Sequence, residues 1–301
     1  MKRADVKVWF ACNNLCKFCV QWDKRTKYPQ RTFDEIKKIL EDEYSAGCRG
    51  LVFTGGEPTI HADLLESVQY AKSLGYSQIQ IQSNGRNFAN IEYCKKLIEA
   101  WVTEFGPSIH GFNPGTHDAL VWAPGAWKQT IEGIRNLKKL NQIIIINSVV
   151  TKRNYKEIPA LALLLSKIGV MQFQFAFVHI LGSADVNKKE IVPKKTDVMP
   201  YIKKALDIGK KYGIICMTEA IPFCLMQGYE WAIAEYNFMP ETTVVDAECR
   251  TESYADYRWN EWKAKRDECK KCMKYTICEW PWKEYVEIFW WDEFIPVSDN
   301  A

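Results

Sequence analysis

Near the start of the chain runs Val6-Lys7-Val8-Trp9-Phe10-Ala11-Cys12-Asn13-Asn14-Leu15-Cys16-Lys17-Phe18-Cys19, an apolar segment that ends in three cysteines. Val6–Phe10 predicts a β-strand, and the cysteines fall on the loop that follows it. Their spacing, C-x3-C-x2-C, lets three thiolates converge on one metal centre. Three ligands leave one iron of a 4Fe–4S cluster without a protein partner, unlike the four-cysteine electron carriers. A zinc knuckle would want a fourth Cys or His close by, and the next candidates, Cys48 and His61, stand at no such spacing.

Outward from that stretch the pattern repeats. Apolar runs at Leu51–Phe53, Ile79–Gln82, Phe105–Ile109, Ile143–Val150 and Phe173–Val178 read as strands. Between them, Phe33–Ala46, Leu64–Leu74, Ile91–Ala100, Thr130–Leu140, Ile158–Ile168 and Val198–Tyr212 carry helical periodicity. Thr32 and Glu35 form a capping box for the first helix. Gly47, Gly75, Gly169 and Gly213 follow helical patterns, where a left-handed cap costs least. Six strand–helix units in series predict an α/β fold with a parallel sheet, whose ligands sit at the carboxyl ends of the strands. After residue 214 the pattern stops. Residues 215–301 hold six cysteines and a dense run of aromatics, and are expected to form a small metal-stapled extension to a core of residues 1–214.

Composition narrows the class. The chain has 301 residues, 47% hydrophobic, with a net charge of +3, too little to argue for nucleic acid. Eleven cysteines, an odd number, with no export signal point to metal ligation in a cytoplasmic protein rather than to disulfides. No apolar run is long enough for a membrane span. Cys48, Cys94 and Cys216 fall in or beside helix and strand patterns and read as small buried hydrophobes.

The cysteine loop, with Phe18 before its last cysteine, resembles the C-x3-C-x-aromatic-C motif of the radical S-adenosylmethionine (SAM) superfamily. Gly55-Gly56-Glu57-Pro58, at the end of the second strand, is similar to the family's GGEP motif. The resemblance spans roughly Val6 to Thr218 and implies a partial (β/α)6 TIM-like barrel. It implies a SAM-binding 4Fe–4S cluster on Cys12, Cys16 and Cys19. It further implies cofactor contacts from Phe18, Thr54, Gly55, Gly56, Glu57, Pro58, Ser83, Asn84 and Ser108. On that reading an external one-electron reductant, such as flavodoxin or ferredoxin, drives oxygen-sensitive cleavage of SAM to a 5′-deoxyadenosyl radical that abstracts a substrate hydrogen. The Arg that related enzymes often carry just after a His-Asp pair is missing after His117-Asp118, where Val121-Trp122 stands.

Cys269-x2-Cys272-x5-Cys278 resembles the core of the SPASM and twitch extensions, which hold auxiliary 4Fe–4S clusters. One auxiliary cluster is expected, with Cys224 or Cys249 as fourth ligand; Cys224, which follows Pro222 as in those extensions, is preferred. Zinc is the competing metal, since four thiolates suit either. The expected substrate is a small molecule or a peptide. The first strand is expected too near the start to leave room for a leader-peptide-binding domain, and no cobalamin-binding domain is recognisable. A non-catalytic iron–sulfur carrier or redox sensor has no need of an open iron or a GGEP turn. A zinc-stapled RNA-binding module would want a basic stripe, and Lys263–Lys274 reads instead as a solvated face.

Overall fold

The computed structural model describes residues 1–238 and 240–298. Strand β1 (Arg3–Trp9) leads through the cysteine loop to helix α1 (Phe33–Ser45), which begins with both halves of the Thr32/Glu35 capping box in place. There follow β2 (Gly50–Gly55), α2 (Leu64–Leu74), β3 (Gln78–Ser83), α3 (Ile91–Glu99) and β4 (Glu104–Pro107). Two helices, α4 (Pro114–Val121) and α5 (Ala126–Lys139), lead to β5 (Ile143–Val150), α6 (Ile158–Ile168) and β6 (Gln172–Phe177). Short helices α7 (Ser183–Val186) and α8 (Lys188–Ile191) precede the long α9 (Lys195–Lys211) and β7 (Ile215–Glu219). Beyond them lie α10 (Ala234–Asn237), the hairpin β8 (Thr242–Val245) and β9 (Arg250–Thr251), α11 (Tyr254–Tyr257) and α12 (Lys283–Phe289).

The strands form one sheet in the order β7-β6-β5-β4-β3-β2-β1-β8-β9, parallel throughout except for the β8–β9 hairpin. This is the expected partial barrel, open between β7 and β9, with two additions. β7 starts at the expected boundary after residue 214 yet pairs with β6 through Phe173–Cys216 and Phe175–Thr218. β8 pairs with β1 through Ala4–Thr243 and Val6–Val245. The extension therefore supplies strands to both edges of the barrel sheet.

Burial alternates along the strands. In β1, Ala4, Val6 and Val8 are buried under the helices while Arg3, Asp5, Lys7 and Trp9 remain half-buried. β5 and β6 alternate the same way. The packed core thus lies between sheet and helices, around residues such as Ile36, Val68, Leu97, Ile134, Leu165 and Ile202. The other face of the sheet is partly open to water and largely polar. Cys48, Cys94 and Cys216 are buried in the core as expected. Among the described residues no helix is long and apolar enough to cross a membrane.

Candidate functional site

The loop after β1 is held from several sides. Leu15 and Lys17 donate backbone hydrogen bonds to the carbonyls of Val121 and Leu120, at 2.8 and 2.9 Å, which fastens the loop to the end of α4. Ser183 accepts from the Cys19 N–H at 2.7 Å and donates to the Cys16 carbonyl at 2.9 Å. Two guanidinium groups grip Asn13 and Asn14. Arg25 donates to the Asn14 carbonyl at 2.7 Å, and Arg86 donates to the Asn13 carbonyl at 2.5 Å and to Asn14 Oδ1 at 3.0 Å. So held, the three thiols stand close together. Burial pushes the Cys16 thiol up, and the neighbouring Cys12 and Cys19 push it further. Burial likewise raises Cys12, whose sulfur accepts from the Asn14 N–H at 3.4 Å. Three thiols on one firmly held loop are a donor set that suits an iron–sulfur cluster. Phe18 is buried with its ring edge on His110, 4.7 Å between centroids, and His110 stacks on His117. Burial keeps both imidazoles neutral, His117 down at about 4.

The Gly55-Gly56-Glu57-Pro58 turn lies against that loop. A Cβ on Gly56 would fall 2.1 Å from the Ala11 carbonyl and 2.4 Å from that of Phe10; one on Gly55, at φ +125°, would meet the Trp9 carbonyl. Gly56 N–H donates to Trp9 O at 2.7 Å and Glu57 N–H to Ala11 O at 2.8 Å. The missing side chains are thus required by the crossing of two backbones, and the Gly56 N–H is already engaged. Glu57 and Ser83 turn toward each other across the ends of β2 and β3. Glu57 is 1% exposed and accepts from the Ser83 hydroxyl at 2.8 Å, the Asn84 N–H at 2.6 Å, and the N–H and hydroxyl of Thr59 at 2.9 and 2.6 Å. A buried carboxylate needs such a shell of donors, and here it ties the end of β2 to the end of β3. Pro58 is buried at the first position of the following 3-10 turn. Thr54 meets Asp5 and Lys7 on the inner face of β1. Asn84 reaches the cluster loop, its Nδ2 donating to Asn13 Oδ1 at 2.5 Å and lying 3.8 Å from Cys12 Sγ.

Along the open face of the sheet the strand ends present amides and acids. Gln82 is exposed in mid-sheet. Ser108 bridges to Asn147, Asn147 stands beside Gln174, and Gln174 donates to Glu219. Asn147 Oδ1 is buried with no partner. Glu219 receives Arg258 at 2.7 Å; Arg258, 1% exposed, also meets Glu235 at 3.2 Å and Glu279 at 2.7 Å. Lys263 shares Glu279 and is buried over the Trp282 ring, so the basic stretch read as a solvated face begins inside the protein. Burial, with Glu279 and Glu219 alongside, pushes Glu235 up to about 7 against the opposing pull of Arg258 and Lys263. His179, beyond β6, stacks on Trp282 at 3.9 Å with Nε2 unpartnered; burial, then Lys263 and Arg258, lower it to about 3. Sequence reading missed this wall because Gln82, Asn147, Gln174 and Glu219 each stand singly in a strand, and Glu235, Arg258, Lys263 and Glu279 come to them from outside the strands.

A second group of thiols gathers beyond β7. Cys224, Cys269, Cys272 and Cys278 line one pocket, whose other walls are Tyr275, Trp280, Trp291, Phe294 and four further apolar residues. Cys224 is pushed up to about 12 by burial and then by the three other cysteines. Two backbone N–H groups point at sulfur, Trp280 to Cys278 at 3.4 Å and Val297 to Cys272 at 3.3 Å. Cys249 stands elsewhere, exposed near the turn of the β8–β9 hairpin, where the neighbouring Glu248 binds Lys27 and Tyr28. Among the described residues no three His, Cys, Asp or Glu side chains converge closely enough to hold a single metal ion.

Known proteins resemble this chain in sequence and in fold. The model of the radical SAM superfamily matches residues 6–165. An AdoMet-dependent heme synthase of Methanosarcina barkeri is 31% identical over 176 residues, covering 58% of this chain and 50% of that protein. A probable GTP 3′,8-cyclase of Saccharolobus islandicus is 27% identical over 180 residues, covering 60% and 58%. The aligned regions therefore span about half the length of these curated relatives. In fold, the chain matches Streptococcus suis SuiB bound to S-adenosylmethionine with a TM-score of 0.67 at 16% identity, over 98% of this chain and 76% of that one. It matches native anSMEcpe with bound AdoMet with a TM-score of 0.67 at 17% identity, over 93% and 89%.

Proposed function

The chain belongs to the radical SAM superfamily and is an enzyme that uses a 4Fe–4S cluster and S-adenosylmethionine; on that premise we propose that Cys12, Cys16 and Cys19 ligate the catalytic cluster and that the enzyme abstracts hydrogen from a polar, hydrogen-bonding substrate. The observation that carries the first part is the placing of three half-buried thiols on one loop clamped by Arg25 and Arg86. When bound, the cluster supplies the electron that cleaves SAM to methionine and a 5′-deoxyadenosyl radical. The residues of the chain bind, orient and exclude water. Asn84, Ser108 and Asn147 line the loop side of the open face and are the side chains proposed to meet the cofactor. The backbone of Gly55-Gly56-Glu57-Pro58 is proposed to face it as well, while Glu57 and Ser83 act from behind by fixing the strand ends.

The polar inner wall supports the substrate reading. Gln82 stands exposed on it and Asn147 Oδ1 is buried without a partner, so a substrate that offers hydrogen bonds suits this wall better than one that offers none, at about 1–3 kcal/mol for each buried group left unpaired. A peptide or a small polar metabolite offers them. Residues 215–301 are proposed as a twitch/SPASM-like extension whose four thiols, Cys224, Cys269, Cys272 and Cys278, hold one auxiliary 4Fe–4S cluster, for electron transfer or substrate binding. A one-electron carrier such as flavodoxin or ferredoxin is the proposed reductant. Anaerobic, reconstituted and reduced protein should release 5′-deoxyadenosine and methionine from SAM, with deuterium from a labelled peptide or metabolite pool entering 5′-deoxyadenosine. Failure of a fully iron-loaded protein to bind SAM would refute the proposal.

A further inference from the structure

Arg25 has no carboxylate partner among the described residues, although its neighbours do. Lys24 binds Asp246 at 2.8 Å and Lys27 binds Glu248 at 2.8 Å, both on the β8–β9 hairpin. Arg25 turns the other way. Its Nη1 donates to the Asn14 carbonyl at 2.7 Å and its Nη2 to Cys19 Sγ at 3.5 Å. The guanidinium carbon lies 5.6 Å from the Trp22 ring, and Nε is buried with no partner. One guanidinium therefore grips the loop backbone and reaches the Cys19 sulfur.

We propose that Arg25 is a positioning residue for electron entry, hydrogen-bonded to Cys19 and placed so that its charge raises the reduction potential of the cluster held by the loop. This rests on the reading that Cys12, Cys16 and Cys19 carry a 4Fe–4S cluster. The core gains one electron, from 2+ to 1+, from an external one-electron carrier, which is oxidised by one electron. With three thiolates the site passes from a net charge of about −1 to about −2. A fixed cation stabilises the second state more than the first, and does so strongly where solvent is partly excluded. Hydrogen bonds to cluster sulfurs act in the same direction. Arg86 grips the same loop, but its contacts are to Asn13, Asn14 and Gln129, with none to sulfur.

The test is an EPR-monitored redox titration of the reconstituted full chain as wild type, Arg25→Lys and Arg25→Met, with iron measured on each. The loop cluster is identified as the signal that changes when SAM is added. The expected result is wild-type iron in both variants, a clear shift to more negative potential in Arg25→Met, and a smaller shift in the same direction in Arg25→Lys. Slower reduction by a fixed excess of dithionite should follow the same order. An unshifted potential with full iron overturns the proposal. Loss of the SAM-responsive cluster from both variants also overturns it, by reducing Arg25 to a mechanical clamp. If the wild type itself shows no SAM-responsive cluster, the proposed function fails and this inference falls with it.

Discussion

The two cysteine groups are built on opposite plans. The loop of Cys12, Cys16 and Cys19 offers three thiols, lies at the carboxyl end of the sheet, and is surrounded by Arg25, Arg86, Asn84 and Ser183. The group around Cys224, Cys269, Cys272 and Cys278 offers four thiols in a cavity of aromatic and aliphatic side chains. A cluster with three protein ligands keeps one iron for an exogenous ligand; one with four is coordinatively closed. Polar surroundings suit a site that must bind a charged cofactor, and apolar ones suit a site that only stores or passes an electron.

The sharpest way to break this comparison is to remove one thiol from each group. Cys16→Ala should abolish 5′-deoxyadenosine formation altogether while the iron of the second site remains. Cys272→Ala should leave uncoupled SAM cleavage measurable. Iron content and chromatographic quantification of 5′-deoxyadenosine check both; equal losses would merge the two sites into one functional unit. Next in size is the fourth ligand. Cys224→Ala should lower iron to that of a single cluster and make the residues after 214 sensitive to limited proteolysis, because metal binding and local folding are coupled. Cys249→Ala, at an exposed hairpin position, should do neither.

Gly56→Val tests the backbone crossing behind the first site. With a Cβ 2.1 Å from the Ala11 carbonyl, the loop must move, at a cost on the order of 3 kcal/mol. Iron should be lost from the first site along with SAM binding, as measured by chemical denaturation and iron analysis. Weakened SAM binding with intact iron would restore the simpler view that Gly56 serves only the cofactor. The smallest effect is expected at His179. Its folded-state pKa of about 3 lies below the ordinary 6.5, so the unfolded chain binds the extra proton between those values. Stability from this group is complete above about pH 6.5 and is lost as pH falls toward 3. The acid side of a stability–pH curve should therefore be shallower in His179→Asn than in wild type. Glu235, held near 7, tilts the curve the opposite way between 4.5 and 7, and does so in both proteins, so the difference between them reports His179.

Much of the barrel was legible because its signals are local. The apolar runs at Val6–Phe10 and Ile143–Val150, the Thr32/Glu35 cap and the glycines after the helices each act within a few residues, and β1, β5 and α1 formed there. α4 was missed: it starts at Pro114, capped by the Asn113 side chain, and has too little helical periodicity to register. β7 and β8 were missed for a different reason. Thr242–Val245 is four residues long and becomes a strand by pairing with β1, more than 230 residues earlier in the chain. The site divided along the same line. The cysteines were readable from spacing, whereas the direction in which Glu57 and Ser83 turn, the grip of Arg25 and the burial of Arg258 and Lys263 depend on partners brought from distant elements.

The central claim, one open cluster and one closed, is tested most directly by Mössbauer spectra of iron-57 reconstituted wild type with and without SAM. Iron for two 4Fe–4S clusters is expected, with a change, on adding SAM, confined to one iron of one cluster and the other cluster's spectrum unmoved. Spectra that do not respond to SAM, or a response that persists after Cys16→Ala and disappears after Cys272→Ala, would contradict it.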